Sequence, residues 1–236
     1  MEKELNLTVS GETKELIIRH GQTIDPVKEK PIAIIGSIKA VTEFLSKRKL
    51  KINLDTANIQ VDREKFSIIL TLKEDKENRD FITARLIETE EFKNFAINKQ
   101  DSWTSQELGE FIKMNRVYFE PRDVAGKLAS QLLDFKVNAT TIIEKFDDKK
   151  GNARILNQRA INEINIPSSF KLKIPIFKGI EAVEIDIELY INPNDFSILL
   201  ISPEAAEITR EVRDNAINDE LKEIEKICPE IPIIEI

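Results

Sequence analysis

Apolar and polar residues alternate most regularly from Val183 to Ile191, where Val183, Ile185, Ile187, Leu189 and Ile191 are separated by Glu184, Asp186, Glu188 and Tyr190. Successive side chains of a strand point to opposite faces, so this segment is predicted to be a strand with one buried and one solvated face. Asn192-Pro193-Asn194-Asp195 is turn chemistry, and Phe196 to Ile201 is expected to return antiparallel beside it. Ser202-Pro203-Glu204 then reads as a helix start, serine as cap and proline in the first turn. The helix should run through Ile208, Val212, Ala216, Leu221 and Ile224 and end before Pro229.

The first third carries weaker strand patterns. Leu5, Leu7 and Val9 alternate before Gly11, with Leu16-Ile17-Ile18 following, which predicts a hairpin or two neighbouring strands. Pro31 opens the run Ile32-Ala33-Ile34-Ile35, which stops at Gly36, and Ser37 stands where an N-cap belongs. A helix from Ile38 to Lys49 would bury Ile38, Val41, Phe44 and Leu45. Ile52 to Val61, Phe66 to Leu72 and Phe81 to Ile87 read as a meander, with the polar stretch Lys73 to Asp80 as one of its turns.

The middle third is helical. In Thr104-Ser105-Gln106-Glu107, Thr104 can cap the amide of Glu107 while the Glu107 carboxylate reaches back, a capping box. Leu108, Phe111, Ile112 and Asn115 then share a face, and Pro121 opens a second helix carrying Val124, Leu128, Leu132 and Leu133. Trp103, just before the capped helix, is expected to staple its first turns.

Composition limits what these elements can do. The chain has 236 residues, 41% hydrophobic and 33% charged, enough to bury roughly three quarters of its unfolded surface in a globular core. Its longest apolar runs are strand-sized, so no membrane span is expected. The start Met-Glu-Lys-Glu-Leu-Asn has no basic, apolar leader, which predicts a cytoplasmic protein. Cys228 is the single cysteine, excluding an intramolecular disulfide or a thiolate zinc site. A net charge of −7 opposes nonspecific duplex DNA binding. The one basic cluster, Lys47, Arg48, Lys49 and Lys51, is the candidate nucleic-acid or anion patch, weighed against ordinary charge at a helix C-terminus.

Catalytic constellations fare poorly. His20 is the only histidine, beside Gly21 near a strand end, and no serine or cysteine sits in a nucleophile elbow. With seven glycines there is neither a G-x-G-x-x-G nor a Walker pattern, so ordinary ATP or NAD chemistry is not expected. Glu184, Asp186 and Glu188 recur about 7 Å apart on one strand face. They read better as an acidic solvent face than as metal ligands. Asp147-Asp148-Lys149-Lys150-Gly151-Asn152 lacks calcium-loop spacing and is read as a hairpin turn. The apolar end, with Ile231, Ile233, Ile234 and Ile236, should dock on its own fold or on a neighbouring chain, making these residues the candidate interface.

One longer pattern remains. Phe92 and Phe95 form an aromatic pair, followed by Gln106, Phe111-Ile112, and Asn115 before Pro121; further on stand Ile166-Pro167, Phe170, Ile174-Pro175-Ile176-Phe177 and Gly179. In this order the residues resemble a family of phages and prophages, domain of unknown function 2303, over the span from Ile32 to Glu223. The chain carries phenylalanine where that family favours tryptophan, and acids between Val183 and Ile191 where its strands carry arginine. The resemblance implies a phage origin and expression in a bacterial host, and transfers no catalytic residue.

Together these observations predict an α+β fold, mostly antiparallel sheet with a central helical pair and a long C-terminal helix. One composite domain over residues 1–236 is expected, whose one candidate seam divides a strand-rich 1–90 from 91–236. The function that ranks first is a non-enzymatic phage or prophage accessory protein, without cofactor, metal or catalytic residue. It would bind a host protein or a small anionic ligand, counter-defence included, as a homo-oligomer in the host cytoplasm. Second is an accessory of phage replication or recombination contacting single-stranded DNA. A metal-dependent hydrolase using Glu184, Asp186 and Glu188 ranks last.

Overall fold

The computed structural model describes residues 30–146, 153–164 and 166–236. In chain order its elements are β1 (Ala33–Ser37), α1 (Ala40–Arg48), β2 (Ala57–Asp62), β3 (Ser67–Leu72), β4 (Asp80–Arg85), α2 (Glu90–Asn94), α3 (Ser105–Met114), β5 (Phe119–Glu120), α4 (Arg122–Phe146), α5 (Ala153–Ile164), β6 (Ser169–Ile174), β7 (Val183–Ile191), β8 (Ile198–Ile201), α6 (Ala205–Ile227) and β9 (Ile233–Glu235). The strands form two sheets, ordered β1-β4-β3-β2-β9 and β5-β6-β7-β8. The fold is α+β with a long C-terminal helix, as the residue pattern predicts.

The second sheet follows directly from alternation. Ile185, Ile187 and Leu189 of β7 are buried while Glu184, Asp186 and Glu188 between them are exposed. On β6, Phe170, Leu172 and Ile174 face inward and Lys171 and Lys173 outward. β8 returns antiparallel to β7, Tyr190 opposite Leu199. Against the apolar face pack α3 and α4, burying Leu108, Ile112, Leu128 and Leu132 completely. The capping box at Thr104 forms as expected: Glu107 N donates to Thr104 Oγ1 (3.2 Å), and Thr104 N donates to Glu107 Oε2 (3.1 Å). Trp103 packs on Phe111 of the same helix, ring centroids 4.9 Å apart.

The first sheet contains the expected meander β2-β3-β4, and adds a parallel strand at each edge, β1 beside β4 and β9 beside β2. Its apolar face, with Ile59, Val61, Ile68, Leu70 and Ile82 inaccessible to solvent, shares one continuous core with the second sheet. α1 packs on this sheet and runs beside α6, where Thr42 Oγ1 donates to Glu220 (2.6 Å). α5 packs on α4 around a satellite cluster of Phe135, Ala139 and Ala160. Residues 31–236 form one unit. Among the described residues no helix is long and apolar enough to cross a membrane.

Several boundaries differ from the local expectation. Ser37 does not cap α1. It continues β1 opposite Arg85, and α1 begins after Lys39 with no side-chain cap. Gly36 allows this, since a Cβ there would meet the Ala40 Cβ at 2.8 Å. Ser202 does not cap α6 either; its buried hydroxyl has no partner, and the helix starts at Ala205. The strand expected from Ile52 starts only at Ala57, because Lys49–Lys51 extend α1 as a 3₁₀ turn. The expected strands around Leu5 to Ile18 and the turn at 147–152 lie outside the described residues. The elements flanking that turn are helices, α4 and α5, the second of which the alternation gave no sign of.

Candidate functional site: a cationic cleft where the two sheets meet

The connection from β4 into the second sheet is pinned at Thr89. Its hydroxyl accepts from Phe92 N (3.2 Å), capping α2, and donates to Pro175 O (2.5 Å). After α2 the chain reverses tightly, with Ala96 and Asn98 both left-handed, φ +50° and +58°. Asparagine tolerates this conformation better than other side chains because it bonds its surroundings. Here the Asn98 carboxamide grips the β8–α6 junction from both sides: Nδ2 donates to Ser202 O (2.7 Å) and Oδ1 accepts from Ser202 N (2.8 Å). The backbone of Ser202 is thus held by Asn98, in a position from which its hydroxyl makes no cap for α6.

That clamp leaves a cleft of about 420 Å³ between the 95–99 loop, the start of α6 and the β2–β3 turn. Its wall is apolar, with Phe66, Phe92 and Ile97 half-buried and Ala205 buried. Phe66 is left-handed as well, φ +55°. For a residue other than glycine this conformation costs about 1 kcal/mol or more, and such strain concentrates at functional sites.

Four cations and one acid line the cleft: Lys93, Lys99, Arg210, Arg213 and Glu88. Two of the cations are neutralised locally. Lys93 Nζ lies 3.0 Å from Glu90 and holds its carboxyl below the usual range by hydrogen bonding. Arg213 makes a two-point bond to Asp214 (Nε–Oδ1 2.8 Å, Nη2–Oδ2 3.0 Å), which likewise holds that carboxyl low, and its guanidinium lies 5.6 Å from the Phe66 centroid. Lys99 and Arg210 are exposed, and among the described residues neither side chain has an ion-pair or hydrogen-bond partner. α6 starts without a side-chain cap, and its first residues, Ala205 and Ala206, line the same cleft. The arrangement suits an anion, on a chain whose net charge is −7.

The residues singled out by sequence are scattered differently. Lys47 pairs with Glu43 (3.7 Å), and Lys49 donates to Ile227 O at the end of α6 (2.5 Å) and pairs with Glu230 (3.7 Å). Arg48 stacks on Phe44, and with Lys51 it lines a second cleft of about 390 Å³ that also holds Lys73 and Lys76. The basic cluster therefore splits, half satisfied by nearby acceptors and half facing one cleft. Glu184 and Asp186 stand opposite Lys173 and Lys171 of β6, with Lys171 and Asp186 3.7 Å apart, a solvent-facing charge ladder. Among the described residues no group of three or more His, Cys, Asp or Glu is placed to hold a metal. Ile231 is buried and Ile233 pairs with Ile59 through β9, so the apolar end docks on its own fold, while Ile234 and Ile236 stay exposed. Arg63 secures it, donating to Glu235 (2.7 Å) and Asn218 (2.9 Å). His20 lies outside the described residues.

The cleft escaped the sequence reading because its walls come from separate segments. The one local trace is Arg210 and Arg213, a helical turn apart on α6. Comparison of the chain with family models, with curated proteins and with solved structures found no match.

Proposed function

We propose that this protein acts by binding a small anionic ligand in the cleft between the 95–99 loop and the start of α6. The carrying observation is a pair of cations, Lys99 and Arg210, whose side chains have no ion-pair or hydrogen-bond partner among the described residues and which line a cleft with a single acid in its lining. Together with the resemblance to a phage family, this supports reading the chain as a non-enzymatic phage or prophage accessory protein that would hold its ligand in the host cytoplasm. Titration with pyrophosphate and citrate, followed by calorimetry and thermal melting, tests the reading. Binding should raise Tm, weaken as salt rises, and disappear in Lys99→Glu/Arg210→Glu. Both side chains are exposed, so that variant should melt close to the unliganded parent. A Tm that no polyanion moves, or moves equally in the variant, refutes the proposal.

A second reading has its own observation: Arg48 and Lys51 share a cleft with Lys73 and Lys76, in excess over its two acids, Asp75 and Asp80, the latter paired with Lys73 at 3.1 Å. This favours contact with single-stranded DNA during phage replication or recombination. Anisotropy with a labelled oligonucleotide at low salt should show binding that Arg48→Glu/Lys51→Glu removes, and no binding at low salt eliminates the reading.

A further inference from the structure

We infer that the ligand of the cleft beside α6 is a mononucleotide, its phosphate held by Lys99 and Arg210 and its base stacked in the aromatic wall. The inference rests on the anion-binding reading above. A cleft of about 420 Å³ has the capacity of an organic-ligand site, which typically runs from about 300 to 1,000 Å³, and an inorganic anion would leave most of it to water.

The division of labour among the cations points the same way. Arg213 is poorly placed to serve as an anion's counter-charge, because Asp214 takes its guanidinium in a two-point bond. What Arg213 offers is a fixed plane, supported by Phe66, which is itself held edge-on by Phe177 with centroids 6.0 Å apart. A guanidinium plane backed by an aromatic ring is a stacking partner for a flat heterocycle. Phe92 adds a second, half-buried ring to the same lining. Lys99 and Arg210, their side chains free of partners among the described residues, remain for the phosphate. Glu88, the one carboxylate in the lining, would repel a bare anion but accepts hydrogen bonds from hydroxyls, as acidic residues do for ribose. A ligand with a phosphate, hydroxyls and a flat base uses all of these groups; phosphate alone is served only by the two cations.

Calorimetry on the full chain with the four common ribonucleoside 5′-monophosphates, their nucleosides and inorganic phosphate tests this. At least one nucleotide should bind about tenfold or more tightly than both its nucleoside and phosphate. Arg210→Glu should weaken it about tenfold or more, whereas Glu88→Gln and Phe92→Ala should weaken the nucleotide and leave phosphate unaffected or tighter. Far-UV circular dichroism and Tm establish that each variant is folded, and Glu88→Gln carries the test if Phe92→Ala is not. Phosphate binding as tightly as every nucleotide, and lost in Arg210→Glu, would overturn the mononucleotide while leaving the anion site. Nucleotide binding indifferent to Arg210→Glu would place the ligand elsewhere and overturn the inference. Failure of phosphate, pyrophosphate and nucleotides alike would overturn both readings.

Discussion

The sheets β5-β6-β7-β8 and β1-β4-β3-β2-β9 draw on similar residues and reach closure by different routes. In the former every neighbour is antiparallel, and β7 alternates strictly between a dry and a wet face. The latter has an antiparallel meander at its centre, but its edges are parallel strands from distant parts of the chain. Ile32 bonds to Asp80 across 48 residues, and Arg63 reaches Glu235 across 172. A strand that pairs locally and keeps one face in water declares itself by period. A parallel edge strand is selected by burial and hydrogen bonding that no neighbour in sequence reports.

The comparison breaks most severely at Phe95, which belongs to the core that the two sheets share, fully buried and packed against Phe111 (4.9 Å), Tyr118 (6.3 Å) and Phe119 (6.2 Å). Phe95→Ala should cost about 3–5 kcal/mol in urea unfolding. Because one core joins both sheets, Trp103 fluorescence and far-UV circular dichroism should shift together; separate transitions would show that the sheets unfold independently.

Arg63→Ala addresses the first sheet alone. Loss of its bonds to Glu235 and Asn218 should cost about 1 kcal/mol. It should speed hydrogen exchange at β2 and β9 while β7 keeps its protection, and equal acceleration in both sheets would contradict the assignment.

A third test uses acid. Hydrogen bonding to Arg213 lowers Asp214, and hydrogen bonding to Lys93 lowers Glu90. A carboxyl with a folded pKa below its unfolded value stabilises the fold fully above the unfolded value, and that contribution is lost as pH falls through the folded one. Urea stability should therefore be level from about pH 5.5 to 7 and decline below about pH 4. The decline should be shallower in Asp214→Asn.

The smallest effect belongs to the wet face of the second sheet. Lys171→Glu places like charge opposite Asp186, yet both side chains are more than half exposed. The change should stay within about 0.5 kcal/mol and shrink with added salt. A larger loss would mean that the ladder, and not the core face, holds β6 to β7.

These contrasts explain what the sequence discloses. β7, β8, the capping box at Thr104 and the course of α6 were legible because each is specified within about one or two turns of chain. Ser37 and Ser202 carry the right chemistry for caps, but strand pairing in one case and the Asn98 carboxamide in the other take their backbones first. The acids of β7 were legible as a solvent face, though not their lysine partners, since β6 was not recognised as a strand. The cleft was not legible at all. Phe66, Phe92, Lys99 and Arg210 stand in four segments, which meet only in the folded chain, with left-handed backbone at Phe66 and Asn98 along the lining.

The placement of β9 also bears on how fast the chain can fold. Pairing within β6, β7 and β8 needs only short chain closures, whereas seating Glu235 beside Arg63 closes a loop of 172 residues, and nonlocal pairings of this kind form slowly. The helix that carries Arg210 and Arg213 leads into that last strand. Closing that 172-residue loop is therefore expected to be among the slower steps of folding, whereas the α6 start that lines the cleft is already tied to the 95–99 loop by the Asn98 carboxamide.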